Sequence, residues 1–339
     1  MEKTVSEHIT RLIPEDNHPD HRLKLDNIRR AMDLIDPVFL NSPQYDCEPL
    51  SEAVGCQLQI KVETANPIRS FKGRGATFLI HERRMRGEIE GRSLVGASAG
   101  NWGQALAYAC RSHRLALVLY ASTAANPLKV ERMRGFGAEV RLEGDDFDAA
   151  KQAAEAFAAE SGGMMLADGL DPEASEGACT MALELMSART PPDCIVVPLG
   201  NGAMLTGIAR WAKAANPGIQ IIGVQATGAD AMEKSWRTGT LAFPPAVSTI
   251  ADGIGVRVPI AEAVADLQGL VDDVHLVEDA ALIEAMRLFH GKAGLVAEPS
   301  GAAGLAAILS RPEVFRGRRV ATILCGGNLT GEQMRTWLG

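Results

Sequence analysis

The chain has 339 residues, of which 46% are hydrophobic and 22% charged, with 34 glycines and a formal net charge of −8. This length exceeds what one hydrophobic core usually serves, and the composition suits an α/β protein with two domains. The negative charge excludes the basic footprint of a nucleic-acid partner, and no apolar run reaches transmembrane length. The charged amino end lacks a signal-peptide core, so we expect a cytoplasmic protein with no membrane partner.

The spacing of hydrophobic residues predicts alternating helices and strands along the chain. The first is an amphipathic helix over residues 24–35, and a strand over 58–62 precedes a turn and a helix over 76–86. Further strands are predicted at 93–97, 115–120, 138–142, 194–198, 220–225, around 274 and at 319–325. Further helices are predicted at 100–111, 127–136, 147–160, 176–187, 205–214, 279–290 and 301–309. This βα alternation predicts parallel sheets with helices on both faces.

The segment 85–166 contains enough alternating elements to close as a small α/β domain of its own. We therefore predict a small inserted domain at 85–166 and a large domain formed by 1–84 and 167–339. The six cysteines show no CxxC pair and no Cys/His spacing of a zinc site. Five of them are interpreted as small buried hydrophobic residues, and the sixth, Cys325, ends the last predicted strand.

Lys72 lies between a predicted strand and a predicted helix, in the segment Asn66-Pro67-Ile68-Arg69-Ser70-Phe71-Lys72-Gly73-Arg74-Gly75-Ala76. The Asn-Pro pair turns the chain, which places the lysine near a turn-to-helix junction. Such a lysine is either an ordinary solvated loop residue or a partly desolvated amine suited to forming a Schiff base. The motif alone leaves both interpretations open.

A glycine-rich turn over residues 200–204 follows the predicted strand 194–198 and opens a helix. Free backbone N–H groups and a helix dipole make such a turn an anion site, with phosphate as the expected guest. The dinucleotide pattern GxGxxG would need a glycine where Leu205 stands, and the P-loop pattern would need a lysine after Gly207. A tight turn without a ligand is the alternative. This ligand-free alternative is less favoured because the polar turn 98–101 also opens a helix directly after a strand.

Several segments of the chain resemble the serine/threonine dehydratase branch of the fold-type II pyridoxal-phosphate enzymes. The motifs SFKxRGA, SxGNxGQ and EPxGAA occur here in the family's order and spacing, and the resemblance runs from about residue 40 to the end. It implies a tryptophan synthase β-like α/β fold of two doubly wound domains with mostly parallel sheets. It also implies pyridoxal 5'-phosphate in the cleft between the domains, a small amino-acid substrate and a homodimer.

The resemblance assigns roles to individual residues of this chain. Lys72 would bind the cofactor as a Schiff base and later take the α-proton of the substrate as general base. Ser98 and the N–H of Ala99 would hold the substrate carboxylate together with Asn101, and Trp102, which replaces the family's histidine, would reshape the substrate pocket. Catalysis is thus assigned to Lys72, Ser98 and Asn101. The implied cofactor contacts come from Phe71, Lys72, Asn101, Gly200, Asn201, Gly202, Ala203, Met204 and Cys325.

Cys325 stands where this family usually has a serine that faces the pyridine nitrogen. A carboxylate there would protonate the ring and make it a strong electron sink, whereas a thiol leaves the ring largely unprotonated. The weaker sink favours prompt loss of a β-leaving group over transamination or racemisation. The resemblance therefore implies an ammonia-lyase that converts threonine, serine or 3-hydroxyaspartate to a 2-oxo acid and ammonia.

Some positions depart from the family's pattern and limit what the resemblance implies. Ala99 replaces the second serine of the racemases, so racemisation should be weak. The carboxylates of a divalent-metal site seen in some relatives are missing at Gln225 and Ala231, so no metal is expected. Arg69, three positions before the lysine, is either a solvated loop residue or a ligand for a distal acidic group of the substrate.

Other functions remain as alternatives at this stage. The same lysine and phosphate loop would serve a β-replacement synthase, cysteine-synthase-like or threonine-synthase-like, or a catalytically silent protein that binds pyridoxal phosphate. A nucleotide-binding α/β protein is disfavoured by the failed spacings. Eleven residues follow Asn328, which leaves no room for a regulatory domain, so feedback by isoleucine is not expected.

Overall fold

A computed structural model describes residues 14–339 of the chain as an α/β protein with two sheets, and residues 1–13 of the polar amino end lie outside the described residues. The strands in this part of the chain are β1 (Gln44–Asp46), β2 (Gln57–Val62), β3 (Leu94–Ala97), β4 (Leu117–Ala121), β5 (Glu139–Leu142), β6 (Met164–Leu166), β7 (Cys194–Pro198), β8 (Gln220–Ala226), β9 (Asp273–Val277) and β10 (Arg319–Leu324).

The helices alternate with these strands. They are α1 (Leu25–Leu34), α2 (Glu48–Val54), α3 (Lys72–Met85), α4 (Asn101–Ser112), α5 (Pro127–Gly135), α6 (Phe147–Ser161), α7 (Pro172–Met186), α8 (Ala203–Ala215), α9 (Ala231–Thr238), α10 (Ala261–Leu267), α11 (Asp279–Ala293), α12 (Pro299–Ser310), α13 (Pro312–Phe315) and α14 (Gly331–Leu338). None of the helices in residues 14–339 combines the length and the apolar character that a membrane span needs.

The strands form one sheet of six and one sheet of four. The larger sheet has the order β1-β2-β10-β7-β8-β9, in which only the edge strand β1 is antiparallel to its neighbour. The smaller sheet, β5-β4-β3-β6, is parallel throughout and comes from residues 94–166. The prediction of mostly parallel sheets is confirmed. The domain boundaries at 84/85 and 166/167 stay a prediction, and the smaller sheet lies within the predicted small domain.

The parallel register brings the ends of several strands to one edge of each sheet. In the larger sheet Val62 of β2 pairs with Leu324 of β10, and β7 beside them ends at Pro198. The loops that leave these strands therefore start at the same edge. In the smaller sheet β3 ends at Ala97 beside β6, which ends at Leu166. The loops after the strands carry the candidate site, as is usual in open parallel sheets.

Most predicted elements agree with the structure to within two residues, but the predicted helices 76–86 and 176–187 are wrong at their starts. Helix α7 begins at Pro172, four residues before the predicted start. Helix α3 also begins four residues before its predicted start, at Lys72, in spite of the glycines at 73 and 75. A Cβ atom at Gly73 would lie 2.2 Å from the ring of Phe39, and one at Gly75 would lie 2.4 Å from the carbonyl oxygen of Ala174. Close packing thus requires glycine within this helix, where intrinsic propensity disfavours it.

A buried glutamate on α7 gives the fold a pH dependence, and we expect Glu176→Gln to stabilise the protein above pH 7. Burial raises the pKa of Glu176 from 4.5 to about 7, although the N–H of Lys24 and the side chain of Asn27 donate hydrogen bonds to its carboxylate. Between these values the folded state binds more protons than the unfolded state, so stability falls as the pH rises. Glutamine keeps the acceptor oxygen and cannot ionise, so the gain should reach roughly 1–3 kcal/mol above pH 7.

Urea unfolding of both proteins at pH values from 4 to 8 measures this difference. Glu52→Gln, at an exposed glutamate on α2, is the control and should show no comparable pH-dependent gain. A gain for Glu176→Gln of equal size at pH 4 and pH 8 would contradict the explanation, because the carboxylate is protonated in both states at the lower pH.

Candidate active site

Lys72 is the first residue of α3, and the loop before it is held by one asparagine. The Oδ1 atom of Asn66 accepts hydrogen bonds from the N–H groups of Ile68 and Ser70, at 3.2 and 3.3 Å, and its Nδ2 atom donates to the carbonyl of Glu63 at 2.8 Å. This arrangement is the side-chain turn expected of an Asn-Pro sequence. The prediction of a turn-to-helix junction at Lys72 is confirmed.

The amine of Lys72 is half-buried in the site. Its Nζ atom forms an ion pair with Asp168, and it lies 4.7 Å from the ring centroid of Phe71. The side chains of Lys72 and Asp168 are 15% and 14% exposed, which makes the amine reachable from solvent without being a free surface group. Of the two interpretations of the motif, the structure supports the partly desolvated amine.

Asp168 is a site residue that the sequence analysis missed. It lies two residues after β6, in a loop that returns to the larger sheet. Asp168 could have been predicted from its position just beyond the carboxyl end of a strand in a parallel sheet, where functional side chains are often located. The strand itself has three residues and was not predicted, so the signal was lost with it.

The glycine-rich turn forms a backbone cradle at the start of α8. Gly202 caps this helix with a φ of 102°, a conformation that strongly favours glycine. A Cβ atom at Gly200 would lie 2.9 Å from the carbonyl oxygen of Gly253, so this position has no room for a side chain. The first N–H groups of a helix have no acceptor within the helix, and here they begin with Ala203 and Met204. The turn therefore presents donors to an anion.

The cradle is connected to Lys72 through the Asp168 loop. Gly169 has a φ of 85°, and a Cβ atom there would lie 3.0 Å from the carbonyl oxygen of Asn201. The residue after Asp168 thus packs directly on the cradle, while Asp168 itself reaches Lys72. The amine and the anion cradle are therefore parts of one site.

A buried network of two amides and one carboxylate closes another side of the site. Asn101 donates from Nδ2 to Oε1 of Glu298 at 2.6 Å and accepts at Oδ1 from Nδ2 of Asn328 at 2.8 Å. The backbone N–H of Asn328 donates to Oε2 of Glu298 at 3.0 Å. Burial raises the pKa of Glu298, and the charge of Lys129 opposes that shift. Asn101 is thus fixed in orientation by its partners.

Cys325 follows β10 directly and is buried beside the start of α12. Its carbonyl oxygen accepts the N–H of Phe71 at 3.1 Å, and its Sγ atom lies 3.7 Å from the carbonyl oxygen of Ser300. Phe71, Met204 and Cys325 belong to one buried cluster. Burial raises the pKa of the Cys325 thiol, so the group stays neutral at physiological pH. All six cysteines are free and buried, which confirms the interpretation of the other five.

Ser98 organises the start of α4. Its Oγ atom accepts hydrogen bonds from the N–H groups of Gly100 and Gly103, at 3.2 and 2.9 Å, which leaves its hydroxyl hydrogen to donate elsewhere. Ala99 next to it is half-buried. Trp102 is buried in the hydrophobic cluster that contains Leu106, and its indole N–H has no hydrogen-bond partner in the part of the chain that the structure describes.

These features agree with what comparisons with known proteins find. A model of the family described as pyridoxal-phosphate dependent enzymes matches residues 35–326. The chain belongs to this family. Pyridoxal phosphate is accordingly its cofactor, and the resemblance noted in the sequence is confirmed.

Individual relatives of this pyridoxal-phosphate enzyme cover most of the chain. An L-threonine ammonia-lyase of Thermotoga maritima is 31% identical over 91% of this chain and 76% of its own length. An L-threo-3-hydroxyaspartate ammonia-lyase of a Pseudomonas species is 30% identical over 92% of this chain and 97% of its own length. The structure of maize serine racemase matches with a TM-score of 0.85 and 27% identity, covering 93% of this chain and 96% of that one.

The residues of the site fit pyridoxal phosphate. The turn at 200–204 offers backbone donors to a phosphate, and Lys72 offers an amine to an aldehyde. The hydroxyl of Ser300, next to Cys325, is buried and has no hydrogen-bond partner among residues 14–339, as expected of a group that meets a polar ligand. Within the same residues, no cluster of three or more His, Cys, Asp or Glu side chains is placed to hold a metal ion.

Proposed function

We propose that this chain is a pyridoxal-phosphate-dependent ammonia-lyase that removes the β-hydroxyl and the amino group of a β-hydroxy-α-amino acid. The products are a 2-oxo acid and ammonia. The observation that carries the proposal is the joining of a half-buried amine, Lys72, to a backbone anion cradle through the Asp168 loop. The similarity of nine-tenths of the chain to two ammonia-lyases supports the reaction type.

The roles predicted from the sequence are kept as parts of this proposal. The turn at 200–204 would hold the phosphate of the cofactor, and Phe71 and Asn101 would contact its ring. Ser98 and the N–H of Ala99 bind the substrate carboxylate at the start of α4, where the helix dipole favours an anion. Trp102 borders the substrate side of this pocket.

Each of these residues has a chemical task. Bound pyridoxal phosphate supplies an electron sink that makes the α-hydrogen of an amino acid acidic enough to remove. Lys72 takes that proton at Nζ as general base. Cys325 would offer the ring of the cofactor a neutral thiol in place of a charged partner, which supports loss of the β-hydroxyl over transamination. Asn101 is held by Glu298 and Asn328, so its contact with the ring is fixed in advance.

Two further features belong to the proposal. We expect a homodimer, because the resemblance implies one, and we keep the expectation of a cytoplasmic location. The cofactor cleft lies between a small domain at 85–166 and a large domain formed by 1–84 and 167–339.

Release of 2-oxo acid and ammonia from a panel of L- and D-β-hydroxy amino acids tests the proposal. The panel contains serine, threonine, 3-hydroxyaspartate and bulkier analogues, and the Lys72→Ala variant serves as control. Lys72-dependent release of both products in equal amounts is expected for at least one member. No release from any member, with a cofactor spectrum that still responds to amino acids, would overturn the proposal and favour β-replacement with an added nucleophile.

Two arginines near the start of α4 bear on the choice of substrate. Arg132 donates to Oδ1 of Asn328, whose Nδ2 atom donates to Oδ1 of Asn101 and to the carbonyl of Ile68. Burial and the nearby charge of Arg69 both lower the pKa of Arg132. The backbone carbonyl of Arg69 accepts the N–H of Gly327 at 3.1 Å, so both arginines adjoin the segment that holds Asn101. This arrangement supports recognition of a second, distal carboxylate on the substrate.

Arg69→Ala is expected to raise KM for 3-hydroxyaspartate by about tenfold, because a charge-assisted hydrogen bond to the distal carboxylate is lost. The KM for threonine, which has a methyl group there, should stay within about twofold. Arg114→Ala is the matched control, since Arg114 is also exposed and also has a positive φ, 56° against 51° at Arg69. Steady-state kinetics with both substrates measure the ratio, and an unchanged ratio would show that Arg69 is only a solvated loop residue.

A further inference from the structure

Asp168 has no role in the chemistry described so far, although its carboxylate contacts the reactive amine. It forms an ion pair with Nζ of Lys72, and both side chains are only about one-seventh exposed. A carboxylate at this place faces the atom that takes the α-proton. It is therefore one proton transfer away from the bond-breaking step.

The loop that carries Asp168 is built to hold this carboxylate in place. The N–H of Ala167 donates to Oδ2 of Asp171 at 2.8 Å, and Oδ1 of Asp171 pairs with Arg83 at 2.7 Å. On the other side Gly169 takes a φ of 85° and packs against the cradle. The next carboxylates along the chain thus bind arginines, Asp171 pairing with Arg83 of α3 and Glu173 with Arg86 at its end, whereas Asp168 turns into the site.

We propose that Asp168 is the second acid–base residue of the elimination and protonates the leaving β-hydroxyl. This inference rests on the proposed function. Lys72 takes the proton from Cα, and the pair of electrons left behind forms the double bond between Cα and Cβ. The bond from Cβ to oxygen breaks, and the oxygen leaves with its electron pair. Asp168 passes the proton from Nζ of Lys72 to that oxygen, so water departs and no outside reagent is consumed.

The acceleration gained by this proton transfer depends on the chemistry of the leaving group. Hydroxide is a poor leaving group, so its departure needs a proton in the transition state, and a positioned general acid contributes typically about 10²–10⁴-fold. Chloride leaves as a stable anion and needs no proton. A residue that protonates the leaving group should therefore matter for a β-hydroxyl substrate and matter little for a β-chloro one.

The test compares the Asp168→Asn holoenzyme with wild type on the best β-hydroxyl substrate and on β-chloroalanine. We expect kcat on the hydroxyl substrate to fall by about 10²-fold or more, and kcat on β-chloroalanine to change by less than about threefold. Asp168→Glu should restore part of the hydroxyl activity. Equal losses on both substrates, or no loss on either, would overturn the inference, because Asp168 would then only position Lys72 or lie outside the reaction.

A second readout does not depend on turnover. In the full-length protein freed of cofactor, an amine-directed reagent followed by peptide mapping reports how well the ion pair protects Lys72. Faster labelling of Lys72 in Asp168→Asn is expected, and an unchanged rate would contradict the contact.

The activity of wild type separates the failure of the proposed function from the failure of this inference. If it eliminates chloride but releases nothing from any β-hydroxyl substrate, the proposed function fails, and this inference falls with it. If wild type is active on both, the inference stands or falls on the variant alone.

Discussion

Lys72→Ala is expected to lower kcat for release of the 2-oxo acid by at least about 10³-fold. The variant loses the general base, which is typically worth about 10²–10⁴-fold, and it also loses the covalent attachment of the cofactor. The structure supports this dependence, since the amine of Lys72 lies in the site 4.7 Å from the ring centroid of Phe71. The result would establish that the chemistry depends on Lys72.

Two measurements check this expectation. Borohydride reduction followed by mass spectrometry should attach the cofactor to the peptide that contains Lys72 in wild type and to no peptide in the variant. Lys72→Arg is the matched variant, because it keeps the positive charge beside Asp168 and cannot form the imine bond. It should be as inactive as Lys72→Ala while unfolding at the same urea concentration as wild type freed of cofactor. More than about a tenth of wild-type activity in either variant would contradict the assignment.

The sequence predicted the fold well where local signals were strong. Long amphipathic or apolar segments, such as 194–198 and 279–290, agree with the observed strand and helix in type and start. Short elements with few residues to show a period were missed, among them β1, β6 and α10. The early start of α3 was missed for another reason. Its glycines have a low helix propensity, so the sequence did not predict a helix there, but close packing requires them.

The site was predictable only in part, for a similar reason. Motifs that are continuous in the chain, around Lys72 and the turn at 200–204, could be read from local spacing. Contacts between distant segments could not. Asn101 meets Glu298 across 197 positions of the chain, and Lys72 meets Asp168 across 96. Such pairs arise only when the parallel sheets bring separate loops to the same edge.

The helix that carries Lys72 is anchored two residues further on by a buried cluster of four charges. The guanidinium of Arg74 binds Glu63 through Nε at 2.8 Å and Glu184 through Nη1 at 2.6 Å, and Nζ of Lys61 binds Glu184 at 2.5 Å. Lys61, Glu63 and Arg74 are completely buried, and Glu184 nearly so. The cluster is neutral as a whole, which makes the burial of its members tolerable.

Arg74→Met is expected to lower the free energy of unfolding by about 3–5 kcal/mol. Removing Arg74 leaves Lys61, 3.8 Å from Glu63 and 2.5 Å from Glu184, as the one positive charge of the cluster for two buried carboxylates. A buried charge without full compensation costs far more than the lost ion pair is worth. Methionine has no hydrogen-bond donor to replace the guanidinium, although its side chain is similar in length to that of arginine. Lys151→Met, at a half-buried lysine whose Nζ atom lies 3.8 Å from Oε1 of Glu155, is the control and should change stability by less than about 1 kcal/mol.

The same cluster gives the Arg74 variant a distinctive pH dependence. Burial alone would raise the pKa of Glu184, but the charges of Arg74 and Lys61 lower it below 4.5. A carboxylate with a lowered folded-state pKa contributes stability that is present above 4.5 and is lost as the pH falls through the folded value. Wild type should therefore lose this contribution on acidification, and Arg74→Met should lose less of it. Urea unfolding at neutral pH and at about pH 4 measures how the free energy of unfolding of each protein changes with pH. A difference between the two proteins that stays constant with pH would show that Arg74 stabilises α3 by packing and not by charge.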